Sequence, residues 1–138
     1  LTWRAEVDAA PAEVVKLLVE RPARAVSGAK KVERRDAGRL FIERETPFFL
    51  PRVWFVVEVQ VAEKRGEIRV RWLRREGTAK RYLRVWSLRA LPSGKTEVRH
   101  RFELEMPFDL PAVFADGQLK KQRLGDRSKL IAELAAGR

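Results

Sequence analysis

The hydrophobic period changes three times along this chain, and the order of those changes limits the fold more than any short motif. Leu1 to Val7 alternates, with Leu1, Trp3, Ala5 and Val7 on one side and Thr2, Arg4 and Glu6 on the other, the pattern of a half-buried strand. Pro11 to Val19 then reads as a helix. Proline suits its first turn, and Asp8 and Glu13 suit the positive end of its dipole. After a short segment from Ala23 to Gly28 that predicts a turn or brief helix, the period becomes two and stays so for most of the chain. Leu110 to Ala136 closes the sequence as a single helix, opened by Asp109 and Pro111.

The long middle block divides at its turn residues. Lys31 to Arg35 and Arg39 to Thr46 form a hairpin around Asp36-Ala37-Gly38. Val53 to Ala62 is the most apolar strand, with Phe55, Val57, Val59 and Val61 on one face, and is expected at the centre of the sheet. Glu67 to Arg74 follows a Lys64-Arg65-Gly66 turn and is broken by Gly77, while Arg81 to Leu91 ends at Pro92-Ser93-Gly94. From Thr96 to Met106 the alternation is cleanest: Val98, His100, Phe102, Leu104 and Met106 face one way, charged residues the other. In the closing helix Val113, Phe114, Leu124, Ile131 and Leu134 make one stripe. Gly117 and Gly125 mark hinges, or places where the helix leaves room.

Composition removes several kinds of chemistry. With no cysteine, thiol catalysis, thiolate metal sites and disulfides are excluded, and the expected compartment is the cytoplasm. With one histidine, a metal centre is not expected, and neither is a cofactor, since no Gly-rich phosphate loop follows any strand. Ser27, Ser87, Ser93 and Ser128 all lack a nucleophile-elbow setting. No apolar run reaches the roughly 20 residues of a membrane-spanning helix, and no leader pattern is visible. The net charge of +11 raises polyanionic partners as hypotheses, although interleaved Glu and Arg also suit the charged surfaces of heat-adapted proteins.

Val7-Asp8-Ala9-Ala10-Pro11-Ala12-Glu13-Val14-Val15, Val85-Trp86-Ser87-Leu88 before a Pro-Ser-Gly turn, Lys95-Thr96-Glu97-Val98 and the closing helix together resemble the START and Bet v 1-like (SRPBCC, polyketide cyclase-like) superfamily. The segment between the first helix and the second strand departs from it, lacking the tryptophan and proline-rich turn that many members carry. The resemblance implies an α+β helix-grip fold in one START-like domain, 1–138: a curved antiparallel sheet of about six to seven strands wrapped around a long C-terminal helix. It also implies a ligand space between sheet and helix.

Trp72, Tyr82, Trp86, Phe102, Phe114 and Leu124 are the expected walls of that space, with His100 as polar contact and weak candidate acid-base group. The same rings also fit a plain aromatic core, and a lone histidine also fits a core position satisfied by a polar neighbour. For Arg81 to Leu91 both Tyr82/Trp86/Leu88 and Leu83/Val85/Leu91 are plausible inner sets. By likeness to the family the Trp86 set faces in, which turns Arg84 inward as well, and Arg74 beside it. These two arginines either anchor a ligand carboxylate or phosphate or reach solvent at strand ends.

The apolar Pro47-Phe48-Phe49-Leu50-Pro51 segment either gates the space, makes an intermolecular contact or folds over the core. Arg69, Arg71, Arg75, Lys80, Arg81 and Arg89 gather on the middle strands with few acids among them. The leading expectation is non-enzymatic binding of a hydrophobic or amphipathic small molecule, lipid-like or polyketide-like. The alternatives are a basic module for RNA, the ribosome or an anionic membrane surface, and a cyclase- or dehydratase-like enzyme using His100; a homodimer is compatible with each.

Overall fold

The computed structural model describes residues 2–36, 38–46, 50–107 and 112–136, with the side chains of the closing helix described over 120–135. Its strands are β1 (Thr2–Val7), β2 (Ala29–Arg34), β3 (Arg39–Arg44), β4 (Trp54–Lys64), β5 (Glu67–Gly77), β6 (Arg81–Ala90) and β7 (Thr96–Glu105). They form one curled antiparallel sheet in the spatial order β1-β7-β6-β5-β4-β3-β2. Helix α1 (Pro11–Glu20) and a 3-10 turn (Pro22–Arg24) join β1 to β2, and helix α2 (Ala112–Ala136) follows β7. The sequence places β4 at the centre of the sheet, but β5 occupies it, because β1 returns to pair with β7 and adds a strand on that side.

Strand alternation determines what the sheet buries. Trp3, Ala5 and Val7 of β1, Tyr82, Trp86 and Leu88 of β6, and Val98 and Phe102 of β7 all lie in the core. α1 adds Val14, Leu17 and Leu18 and touches β5 and β6. The expected inner face of β4 holds only in part: Phe55 and Val57 are buried, whereas Val61 is 51% exposed. Among the described residues β3 pairs with β4 only as far as Glu58, so beyond that point β4 is locally an edge.

Gly77 does not break β5; it belongs to it. A register shift lies between Val56 and Val57 of β4, and just beyond it Gly77, paired with Phe55, adopts φ +132. A Cβ there would lie 2.4 Å from both Phe55 Cα and Trp54 O, so only glycine lets the two backbones approach this closely. The closing helix also differs from expectation. Leu124 is 51% exposed, and the buried stripe of its described part is Gln122, Asp126 and Leu130, with Ile131 and Leu134 packed against the core. Phe114, Val113 and Gly117 lie outside the residues with described side chains, and so does most of the 47–51 segment.

Candidate functional site

Trp72, Tyr82, Trp86, His100 and Phe102 come together between the sheet and α2, each no more than 2% exposed. Trp72 meets Trp86 edge-on with ring centres 4.8 Å apart, Tyr82 meets Phe102 at 5.5 Å, and the His100 ring stacks on Trp3 at 5.0 Å. These rings pack on one another, as a core does. Leu124, expected among them, points away.

A polar network is built into this aromatic cluster. Arg84, turned inward with Tyr82 and Trp86 by the parity of β6, donates through Nη1 to Asp126 Oδ2 of α2 at 2.6 Å, and the two side chains are 1% and 2% exposed. Its Nε donates to the Tyr82 hydroxyl, and its Cζ lies 4.2 Å from the Phe102 ring centre. The other Asp126 oxygen accepts from the Ser27 backbone N–H at 2.7 Å, the Ser27 hydroxyl at 3.1 Å and Gln122 Nε2 at 2.8 Å. Gln122 also donates to the Ser27 carbonyl at 2.5 Å. Arg84 is therefore neither a free anchor nor a strand-end residue reaching solvent. Burial opposes its charge, but Tyr82 and Asp126 outweigh burial and hold its pKa above the ordinary value.

Two glycines make this network possible. A Cβ on Gly125 would lie 2.6 Å from the Ser27 Oγ, so the helix leaves room there for the hydroxyl that caps Asp126. Gly28 has φ +74, and a Cβ on it would sit 2.3 Å from Gln122 Oε1.

Arg44, which the sequence reading passed over, lies beside this network. It follows Leu40 and Ile42 at the period of β3, both buried, and that spacing was the available signal. Its Nη2 donates to Gln122 Oε1 at 2.9 Å and its Cζ stands 6.0 Å from the Phe102 ring. Among the described residues no carboxylate stands at ion-pair distance from it, and its buried Nε has no partner. Burial and then the neighbouring Arg84 pull its pKa below the ordinary value, against partial compensation from Tyr82 and Asp126. Arg74 is half-buried. It donates through Nη2 to the Gly77 carbonyl at 2.8 Å and likewise has an unpartnered buried Nε.

His100 is 2% exposed, and its Nε2 stands 3.4 Å from Arg84 Nη1. Burial first and the Arg84 guanidinium second lower its pKa from 6.5 to about 2. Its imidazole is therefore held in the neutral form.

The basic residues expected on the middle strands divide into groups. Arg75 is paired across strands with Glu58 at 2.6 Å and Arg81 with Glu103 at 2.7 Å, while Arg69 meets Glu67 of its own strand at 3.5 Å. Arg69 and Arg71 line a basin on the outer face together with Arg4, Arg99 and Arg101, while Arg89 borders a smaller hollow and Lys80 is exposed. Among the described residues no helix is long and apolar enough to cross a membrane.

Solved structures share this fold. A START superfamily protein from Mycobacterium smegmatis superposes with TM-score 0.76 at 12% identity, over 100% of this chain and 98% of its own. The STAR-related lipid transfer protein from Xanthomonas axonopodis gives 0.76 at 15% identity, over 97% and 84%. The allergen Ara h 8.0201 gives 0.59 at 11%, over 99% and 98%. The chain has the START/Bet v 1-like helix-grip fold. No protein-family model matches the sequence, and no curated protein matches it significantly. Within the helix-grip fold the space between sheet and closing helix is, beneath Gln122 to Leu130, occupied by the Arg84–Asp126 network. The cation beside it, Arg44, has no carboxylate partner among the described residues, and its buried Nε is unused.

Proposed function

We propose that this chain is a binding protein for a small amphipathic molecule with an anionic head, received beside the Arg84–Asp126 network rather than within it, with its head against Arg44. The observation that carries this reading is the Arg44 guanidinium itself. It is half-buried beside a second cation, its Nη2 donates to a neutral amide oxygen, and among the described residues its buried Nε has no partner. A partly buried guanidinium with an unused donor is unfavourable, and a carboxylate or phosphate on a ligand would answer it with a forked pair of hydrogen bonds. Arg74 offers a second unused donor on the same face of the sheet. Structural likeness to the STAR-related lipid transfer protein from Xanthomonas axonopodis supports a lipid-like tail.

Laurate and dodecanol, which share a tail and differ in the head, test this reading by calorimetric titration. Laurate is expected to bind at least about tenfold more tightly than dodecanol, and Arg44→Met is expected to erase the difference. Equal binding of the two, or binding of neither, would sink the reading.

A further inference from the structure

We propose that the outer face of the sheet binds a short linear phosphate chain, laid across the strands on two adjacent rungs that carry arginine and no acid. This rests on the strand register and is independent of the interior site. One rung, read from β4 to β1, is Gln60, Arg71, Val85, Arg101 and Thr2. The next is Ala62, Arg69, Ser87, Arg99 and Arg4. Arginines on β5 and β7 thus stand at four corners around a floor of Val85 and Ser87, and Arg4 extends the band at one end. With strands about 4.8 Å apart, the band is roughly 19 Å long and roughly 7 Å wide.

The bordering rungs are different. On one side stand Glu58, Leu73, Leu83 and Glu103; on the other Lys64, Glu67, Arg89, Glu97 and Glu6. The acids that pair with the band's arginines all come from these borders: Glu67 with Arg69, Glu97 with Arg4 and Arg99, and Glu103 with Arg101. Arg71 has no acidic partner among the described residues. A sheet gains from opposite charges across a rung and loses from like ones, yet here the cations occupy the middle and the acids the edges.

The shape agrees with the charge. The band forms a basin of about 790 Å³, a volume ordinary for a small-molecule site. Small residues at Val85 and Ser87 keep it open, and the Ser87 hydroxyl adds a donor on its floor. Guanidinium forks at the corners match phosphate oxygens bidentately. A chain running along the strands would meet Glu58 and Glu103, whereas one crossing them meets arginine at β5, β7 and β1. Other occupants fit less well. The outer positions of both rungs carry no aromatic side chain on which nucleic-acid bases could stack. A second copy would set like charges against like.

Calorimetric titration of the full chain with inorganic tripolyphosphate, orthophosphate and a short oligouridylate tests the proposal. Tripolyphosphate is expected to bind at least about tenfold more tightly than orthophosphate, and the affinity is expected to fall with added salt. Arg71→Gln with Arg101→Gln is expected to lose at least about tenfold in tripolyphosphate affinity. Ser87→Asp, which keeps every arginine, is expected to weaken binding as well. Arg75→Gln with Arg81→Gln removes equal charge from the same face outside the band and is expected to change little. Equal loss in the two double variants, no preference over orthophosphate, or tighter binding of oligouridylate than of tripolyphosphate would overturn it.

Discussion

Arg84 and Arg101 sit on neighbouring strands of the same sheet, yet they live under different physics. Arg84 faces inward, and a carboxylate, a tyrosine hydroxyl and an aromatic face meet its guanidinium where water does not reach. Arg101 faces outward, 56% exposed, with Glu103 at 3.0 Å beside it. Strand parity alone separates the two. Inside, each charge matters singly, because losing its partner leaves an unsolvated ion. Outside, single pairs matter little, and only their collective arrangement creates a field with a use. A count of arginines therefore says little about this protein until each is assigned a face.

Removing Asp126 breaks the comparison most sharply. Asp126→Ala leaves Arg84 and the Ser27 donors unmet, and is expected to cost about 3–5 kcal/mol of stability by urea unfolding. Removing the Glu103 partner of Arg101 should cost no more than about 1 kcal/mol. Replacing both members of the inner pair, with Arg84→Met and Asp126→Leu, should restore much of the loss. A small effect of Asp126→Ala would mean that water reaches the network.

Gly125→Ala comes next. In an ordinary helix interior this change stabilises by up to about 1 kcal/mol. Here the new methyl would meet the Ser27 hydroxyl at 2.6 Å, so a loss of about 1–3 kcal/mol is expected instead. Ser27→Ala in the same chain should recover part of it. A stabilising Gly125→Ala would show that the helix does not press on Ser27 as described.

The smallest effect is in the acid limb of stability. His100 is the only histidine, with its folded pKa lowered from 6.5 to about 2. The unfolded chain therefore binds a proton below about pH 6.5 that the folded chain refuses, and stability falls as pH falls. Between about pH 6.5 and 5 that slope belongs to His100, since carboxylates titrate lower. His100→Gln is expected to flatten the fall in melting temperature across that window. An unchanged slope would place the titration elsewhere.

The inner and outer faces were not equally legible in the sequence. The parity of β6 is legible only through the likeness to the family, since both Tyr82/Trp86/Leu88 and Leu83/Val85/Leu91 alternate as inner sets, and Arg84 follows from it. In the closing helix Ile131 and Leu134 of the expected stripe pack on the core, whereas Leu124 is exposed, because the buried face at Gln122 and Asp126 is polar and apolar periodicity does not register it. Arg44 was passed over although Leu40 and Ile42 point to it, because a charged residue at a strand end ordinarily reaches water. The arginine band was out of reach, since alternation says which face a residue occupies but not which rung it shares.

The separation of the two faces can be tested most directly by thermal melts of three chains with laurate and with tripolyphosphate. Wild type is expected to be stabilised by each ligand. Arg44→Met should lose only the laurate shift, and Arg71→Gln with Arg101→Gln only the tripolyphosphate shift. Loss of both shifts in either variant, or of neither in both, would contradict the account.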